Sequence, residues 1–450
     1  MTKQDEARLW PLLAYAGPMI ALSIVNMLLI AYLPNFYAEE MGIGLGAVGG
    51  VFMAARAFDA VIDPVIGNLS DRTRSRWGRR KPWLGFGTVA FMAATWAFFQ
   101  PPVGVGMTYL LVAAMLFYIT YAIVIIPYVS WGAEIRRDYE GRTRVNSLRE
   151  GAGILGTILA TLLPVLVLPL LVSGDPTLRQ ILGLLAATVI VILAITIPIA
   201  LRAAPQGEFE PHPPLGLFSA LALMRKNKPL LRILLAIFVV WLGGAFHNST
   251  ILFYVTNALK LGRADFLWLI LAQYSLAMLS LPFWNRLADR IGRHKVLVLG
   301  AMGYFAAHQG FHFVPEGGFW GAIAVYLVAG FMTPVIWVMP PAIVADTVDY
   351  GMLKGANDDS AVYLALYAFV QKMALAIGVG LALALAGQLG FNPKLPVDAA
   401  AVSALRIVTL ILPGLIAAVG CAFLWNYPIT ERRHKAIRAW LARRHREISK

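Results

Sequence analysis

The feature that most constrains this chain is a succession of about twelve apolar stretches, each of roughly 20 residues or more, separated by short polar loops. They run over 9–34, 43–69, 83–100, 107–132, 150–173, 181–202, 231–258, 264–288, 295–313, 319–345, 361–388 and 400–427. A stretch of about 20 mostly apolar residues can cross the hydrocarbon core of a bilayer as a helix. In that medium every backbone N–H and C=O must be bonded within the segment, which leaves a bundle of helices as the fold. The expectation is an all-α membrane protein with twelve transmembrane helices. Charged residues make up 14% of the chain and hydrophobic ones 59%. A soluble domain sits nearer a quarter charged and half apolar, so little chain remains for a separate soluble catalytic domain.

The net charge of +14 would suggest nucleic acid in a soluble protein. Here the basic residues sit in loops between apolar stretches, as in a protein facing anionic headgroups, so membrane lipid is the expected partner and nucleic acid is not. With the N-terminus inside, cytoplasmic loops hold Arg72, Arg74, Arg76, Arg79, Arg80, Lys81, Arg136, Arg137, Arg142, Arg144, Arg225, Lys226, Lys228, Arg286, Arg290, Arg293 and Lys295. The opposite loops hold only Arg179, Lys260, Arg263 and Lys394, and the loop around Glu39 and Glu40 holds none. Both termini are therefore expected in the cytoplasm of an inner-membrane protein. The first apolar stretch is followed by no small-residue cleavage site and reads as a retained helix. Cys421 is the single cysteine, and no cysteine–histidine metal cluster is present in the sequence.

The longest internal loop, proline-rich at its start, divides the chain. The reading is a six-helix bundle over 1–202, a cytoplasmic loop over 203–230, a second six-helix bundle over 231–427 and a basic amphipathic tail over 428–450. The halves share a motif. Gly67-Asn68-Leu69-Ser70-Asp71-Arg72 follows the second stretch, and Asn285-Arg286-Leu287-Ala288-Asp289-Arg290 follows the eighth. Each leads into a second basic run, Gly78-Arg79-Arg80-Lys81 and Gly292-Arg293-His294-Lys295. This resembles the loop motif that the major facilitator superfamily repeats once per half, and it implies two pseudo-symmetric bundles around a central site. Its physical role is that of a gate latch: the aspartate caps a helix while arginines pair with acidic residues across the cytoplasmic mouth. Asp71, Arg72, Asp289, Arg290 and Arg293 are the motif's gating candidates.

Within the second stretch, Arg56, Asp59 and Asp63 are spaced i, i+3 and i+7, so they share one helical face. A charge at a helix centre costs about 2.5–3.5 kcal/mol on insertion scales, so three in one span must face protein or a wet cavity. Carboxylates one turn apart can ligate one hard cation or share a proton. Arg56 can hold the pair when the ion is absent, and Pro64 can free a carbonyl there. The eleventh stretch carries Lys372 among apolar neighbours. A buried lysine needs a partner to keep its proton, and Asp59 or Asp63 supplies one if the halves face each other. Cation binding would then compete with Lys372 for the carboxylates.

The run Phe58-Asp59-Ala60-Val61-Ile62-Asp63-Pro64, then Gly67, then Arg72-Thr73-Arg74-Ser75-Arg76-Trp77-Gly78-Arg79-Arg80-Lys81-Pro82-Trp83, closely resembles the glycoside–pentoside–hexuronide:cation symporter family. So do Ile126-Pro127-Tyr128, Glu134, Arg142-Thr143-Arg144, Arg149, Asn227-Lys228-Pro229, Val344-Ala345-Asp346-Thr347-Val348-Asp349-Tyr350-Gly351 and Lys372. The resemblance spans nearly the whole chain. It implies uptake driven by Na⁺, Li⁺ or H⁺ through alternating access, with Asp59 and Asp63 as the cation site and Lys372 beside it. It implies that Arg149 helps bind sugar, that Trp337 lines the cavity, and that Asp346 and Asp349 join the gating set. The departures bear on substrate. The sugar-binding aspartates of melibiose-type carriers fall near Met19 and at Ile125, and Val129 replaces an aromatic. Sugar hydroxyls left unpaired in a dry site are costly, which argues against a galactoside. Ile62, apolar beside the cation carboxylates, favours H⁺ over Na⁺. Tyr121, Tyr128, His247, Asn248 and Gln371 are candidates to compensate, since aromatics stack on sugar faces and amides bridge hydroxyls. His308 and His312 are expected near water or headgroups.

The expected function is cation-coupled symport of a sugar or glycoside by a monomer, with a small-molecule solute as partner and H⁺ or Na⁺ as the coupling ion in place of a cofactor. The alternative is a more amphiphilic cargo, such as a lysolipid or an aromatic or terpenoid glycoside, favoured by Ile125 and Val129. No nucleophile–base pair or phosphate loop lies in the spans, which argues against an enzyme.

Overall fold

The structure, a computed structural model, describes residues 3–135, 139–206, 227–353, 360–393 and 395–429, with 433 and 437. Most of the central loop and of the basic tail expected from the sequence lies outside these residues. The described residues form helices and connecting loops, with no strand among them.

Among the described residues, twelve helical rods follow one another. The first, α1, is made of consecutive segments Lys3–Ala16, Pro18–Met27, a π-helical Leu28–Tyr32 and Leu33–Glu39. Next come α2 (Leu45–Arg72), α3 (Lys81–Phe99), α4 (Met107–Ile135), α5 (Tyr139–Leu171) and α6 (Leu178–Ala203). The second set is α7 (Lys228–Phe253, extended by a π-helical Tyr254–Ala258), α8 (Arg263–Ile291), α9 (Arg293–Gln309, ending in the 3₁₀ turn Gly310–Phe313) and α10 (Phe319–Leu353). It ends with α11 (Ser360–Gln388) and α12 (Ala399–Arg406, a π-helical Ile407–Ile411 and Leu412–Ala422). Eleven of the rods are long and apolar enough to cross a membrane. The other is α9, whose 17 α-helical residues are lengthened by four of 3₁₀ helix. At about 1.5 and 2.0 Å per residue these still reach across a 30 Å core.

Several helices outrun their apolar stretches. α5 begins at Tyr139 and α10 runs to Leu353, both beyond the hydropathic limits. The reason is physical: a helix continues past the hydrocarbon into water with charged residues, which hydropathy does not register as span. α2 stays helical through Pro64. That proline has no N–H to give to the carbonyl of Ala60, so one backbone acceptor is freed beside Asp63.

The packing repeats. In the first set α1 packs on α5 and α6, α2 on α4, and α3 on α4 and α6. Six helices later, α7 packs on α11 and α12, α8 on α10, and α9 on α10 and α12. The contacts between the sets obey the same relation: α2 lies on α11, and α5 on α8. This is the pseudo-symmetric pair of six-helix bundles that the repeated motif implied. The motif loops themselves match, since Gly78 and Gly292 stand at corresponding places and both take a left-handed φ, +85° and +95°. A side chain there would be strained, and the glycine lets each loop turn into α3 or α9.

Lipid offers no hydrophobic drive between helices, so association rests on close packing and small residues. The crossing of α2 and α11 between the bundles is of this kind. A Cβ on Gly49 of α2 would meet the carbonyl of Gly380 on α11 at 2.8 Å.

Candidate functional site

At the middle of the α2–α11 contact three charges meet. Lys372 Nζ donates to Asp59 Oδ2 at 3.0 Å and also to Asp63 Oδ2. The helical spacing that puts Asp59 and Asp63 on one face of α2 aims both at α11, so one ammonium serves two carboxylates from the opposite bundle. Asp59 is 1% exposed, while the Lys372 and Asp63 side chains keep partial access. The other oxygen of each carboxylate, Oδ1, is buried and has no hydrogen-bond partner among the described residues. An anionic oxygen left so is costly. Two such oxygens on adjacent carboxylates form a donor set that suits a monovalent cation or a proton.

Arg56, whose spacing suggested a role in holding the pair together, makes no direct contact with it. Its guanidinium lies over the ring of Tyr118 at 4.9 Å, and the group that touches both carboxylates is Lys372. One turn away from the triad, Leu29, Phe52, Ala245, Leu375 and Val379 join Arg56 around a small void between α1, α2, α7 and α11. Its lining is apolar apart from Arg56.

The remaining candidates scatter. Tyr121 accepts from Asn26 Nδ2 at 3.2 Å. Tyr128 is fully buried, stacks on Tyr15 at 4.9 Å and donates to the Tyr15 carbonyl at 2.8 Å, binding α4 to α1. Arg149 reaches Glu150 Oε1 at 2.8 Å. Gln371 and Asn248 are half-buried. His247 is 2% exposed and lies inside the second bundle, its Nδ1 2.9 Å from the Thr409 carbonyl. His308 is buried against it, with ring centroids 4.0 Å apart, rather than near water, because its helical phase matches that of Tyr304. Trp337 is 47% exposed and meets the buried Trp241 edge-on at 4.6 Å. Trp241, which sequence reasoning passed over as one aromatic among many, is what fixes the Trp337 ring.

Among the described residues, the motif residues form ion pairs inside each bundle. Glu134 at the end of α4 accepts from Arg79 at 2.9 Å and from Arg80 at 2.9 and 3.0 Å. Arg80 also donates to Ser70 Oγ at 2.6 Å and pairs with Asp71. The second bundle repeats this in simpler form, with Arg293 on Asp346 at 2.5 Å. Arg72, Asp289 and Arg290 are exposed, and Asp349 is half-buried. On the opposite side, Glu39, Asp175 and Arg263 meet between bundles. The signal in the sequence was faint: charged residues in loops otherwise poor in charge.

Comparison with known proteins gives a consistent picture. Residues 14–431 match the family model described as MFS/sugar transport protein. An uncharacterized symporter of Synechocystis sp. (strain PCC 6803) is 27% identical, with 96% of each chain covered. The glucuronide carrier protein homolog of Escherichia coli K12 is 24% identical over 90% of this chain and 89% of its own. The isoprimeverose transporter of Lactiplantibacillus pentosus is 26% identical over 81% and 77%. Among solved structures, a D-xylose-proton symporter superposes with a TM-score of 0.62 at 15% identity, covering 94% of this chain and 97% of that one.

Proposed function

The chain belongs to the MFS/sugar transport family, and from that premise we propose that it is a symporter driven by H⁺ or Na⁺ that imports a sugar or glycoside by alternating access. It is a multi-pass membrane transporter and not an enzyme. Its place in this reading is the inner membrane, with the motif loops and both termini in the cytoplasm, in keeping with the distribution of Lys and Arg.

The observation that carries the reading is the bridge from Lys372 to both Asp59 and Asp63. Lys372 alone touches the two carboxylates, so one negative charge lacks a direct partner among the described residues in a low-dielectric setting, where it is expensive. A monovalent cation or a proton neutralises it. The cation takes the carboxylate oxygens that now lack partners and draws the pair away from Lys372. Since Lys372 stands on the second bundle and the carboxylates on the first, ion binding weakens a bond between the bundles. The bundles can then carry solute across only when the ion site is loaded, while the empty carrier returns with Lys372 on the carboxylates, which ties solute movement to ion movement.

The solute is expected to meet the face of Trp337 held by Trp241, with Arg149, Tyr121 and Gln371 as polar partners. A more amphiphilic cargo, a glycoside with an apolar aglycone, is the second reading. It is favoured by the exposed Val129 and Trp337, which offer carbon surface where hydroxyl-binding groups would stand.

Uptake into proteoliposomes with a panel of glycosides, under a pH gradient and then a Na⁺ gradient, tests both. Asp59→Asn and Asp63→Asn are each expected to reduce gradient-driven accumulation to background. Full accumulation in both variants would discard ion coupling at this pair, and accumulation only of glycosides with large apolar aglycones would select the second reading.

A further inference from the structure

The outer side, opposite the motif loops, holds a contact that the coupling triad does not explain. Asp175 lies in the loop between α5 and α6, in the first bundle. Its Oδ2 accepts from the backbone N–H of Arg263 at 2.9 Å and its Oδ1 from that of Ala264 at 3.0 Å. Arg263 and Ala264 are the first residues of α8, in the second bundle. The first N–H groups of a helix have no partner inside it and are usually satisfied by the side chain just before it. Here that residue is Gly262, which has no side chain to offer. A Cβ at Gly262 would lie 3.0 Å from Asp175 Oδ1, so the missing side chain also makes room for the carboxylate. Asp265 takes only the Gly262 N–H, at 2.9 Å. α8 thus depends on the opposite bundle for its cap.

A second carboxylate gives the contrast. Glu40 accepts from Leu178 N and Arg179 N at 2.5 and 3.1 Å, capping α6. That cap is internal to the first bundle and travels with it. The Asp175 cap is broken if the bundles part on the outer side. Gly49 against Gly380 and Tyr32 edge-on to Phe266 at 6.2 Å close the same side. Arg263 also pairs with Glu39 at the end of α1. Burial pushes the Glu39 carboxyl up although Arg263 pulls it down, so desolvation offsets part of that pair.

We propose that Asp175 is the outer-gate latch of this transporter: a positioning residue that holds the outer side shut by capping α8 from the opposite bundle, and that must let go for the solute site to open outward. The proposal rests on the alternating-access reading, but its test needs neither solute nor coupling ion. Spin labels at the exposed positions Val103, between α3 and α4, and Phe313, after α9, in a Cys421→Ser background, report the outer separation by double electron–electron resonance. The parent is expected to give mainly the short distance. Asp175→Ala is expected to raise the ratio of long to short populations about 5- to 30-fold, the effect of one or two lost backbone bonds. Asp175→Asn, which keeps one acceptor oxygen, should shift it less, and Glu40→Gln should leave it at the parent value. Unchanged distances in both Asp175 variants, or an equal shift in Glu40→Gln, would overturn the latch. Failed uptake with an intact shift would instead count against the symport reading alone.

Discussion

The two ends of this molecule use charge in opposite ways. The motif side is crowded with basic residues, yet the ion pairs among its described residues close within a bundle: Arg79 and Arg80 on Glu134, and Arg293 on Asp346. The opposite side has few charges, and those join the bundles: Asp175 to the start of α8 and Glu39 to Arg263. Abundance of charge in a loop follows from how the chain is inserted, whereas the place of the gate follows from which bundle each partner stands on. Besides the central bridge from Lys372, the described polar bonds between bundles lie on the sparse side, and those of the crowded side brace each bundle from within.

The largest test of that contrast is on the motif side of the first bundle. Arg80 is nearly buried, its side chain 6% exposed, and it serves Glu134, Asp71 and Ser70 together. Removing one partner of a buried ion pair strands the others, at about 3–5 kcal/mol in well-buried cases. Because Asp71 is half open to solvent and Glu134 keeps Arg79, Arg80→Ala is expected to cost less than that, about 2 kcal/mol, the scale of a lost hydrogen bond to a charged group. Thermal unfolding in detergent reads this as a lowered Tm. The outer distance between bundles should not move with it, because the brace is internal. An outer distance that widened in Arg80→Ala would erase the distinction between bracing and gating.

The corresponding change in the second bundle is expected to be smaller. Arg293 is 42% exposed, and among the described residues its ion pair is with Asp346. Exposed pairs are worth about 0.2–1 kcal/mol, so Arg293→Ala should lower stability by no more than about 1 kcal/mol. The two motif copies thus share a backbone turn, at Gly78 and Gly292, while differing in how much energy their arginines carry. An equal loss of Tm in Arg80→Ala and Arg293→Ala would show that burial does not set the difference.

How far the sequence foretold this can be judged residue by residue. The twelve rods and their halves were legible because hydrophobic length and a repeated Asp71/Asp289 motif are local signals. The triad was legible in part. Asp59 and Asp63 share a face by helical period, and an intramembrane lysine needs a counter-charge, so their meeting with Lys372 follows from cost alone. The displacement of Arg56 onto Tyr118 was not legible, because the choice between a carboxylate and a ring depends on where α4 passes. Tyr128 and His247 read as substrate groups by composition, but each is turned into a bundle and bonded to a backbone carbonyl. Which face of an apolar helix looks into the interior is decided by packing, and hydropathy that is high all round gives no phase. Asp175 was invisible for another reason. A cap is expected next to its helix, and this one comes from the other half of the chain.

The smallest expected effect concerns pH on the sparse side. Glu39 is faced by Arg263 from α8 and by Glu40 from its own end of α1, and Asp175 lies on the backbone of that same arginine. Its carboxyl is raised above the usual range by burial first of all, with Glu40 adding to the rise and Arg263 opposing it. When the outer side opens, water reaches Glu39 and its affinity for a proton falls back. The closed state therefore binds the proton more tightly than the open one. By linkage, the contribution of Glu39 to closure is fully present below the ordinary carboxylate pKa and is lost as pH rises through the raised value. Outer separation in the spin-labelled protein should thus increase modestly from acid toward neutral pH. Glu39→Gln, which cannot ionise, should hold the distribution at its acid-side value across that range. A separation that instead narrowed with rising pH would mean that the charged pair with Arg263, and not the cost of burying it, governs this edge of the gate.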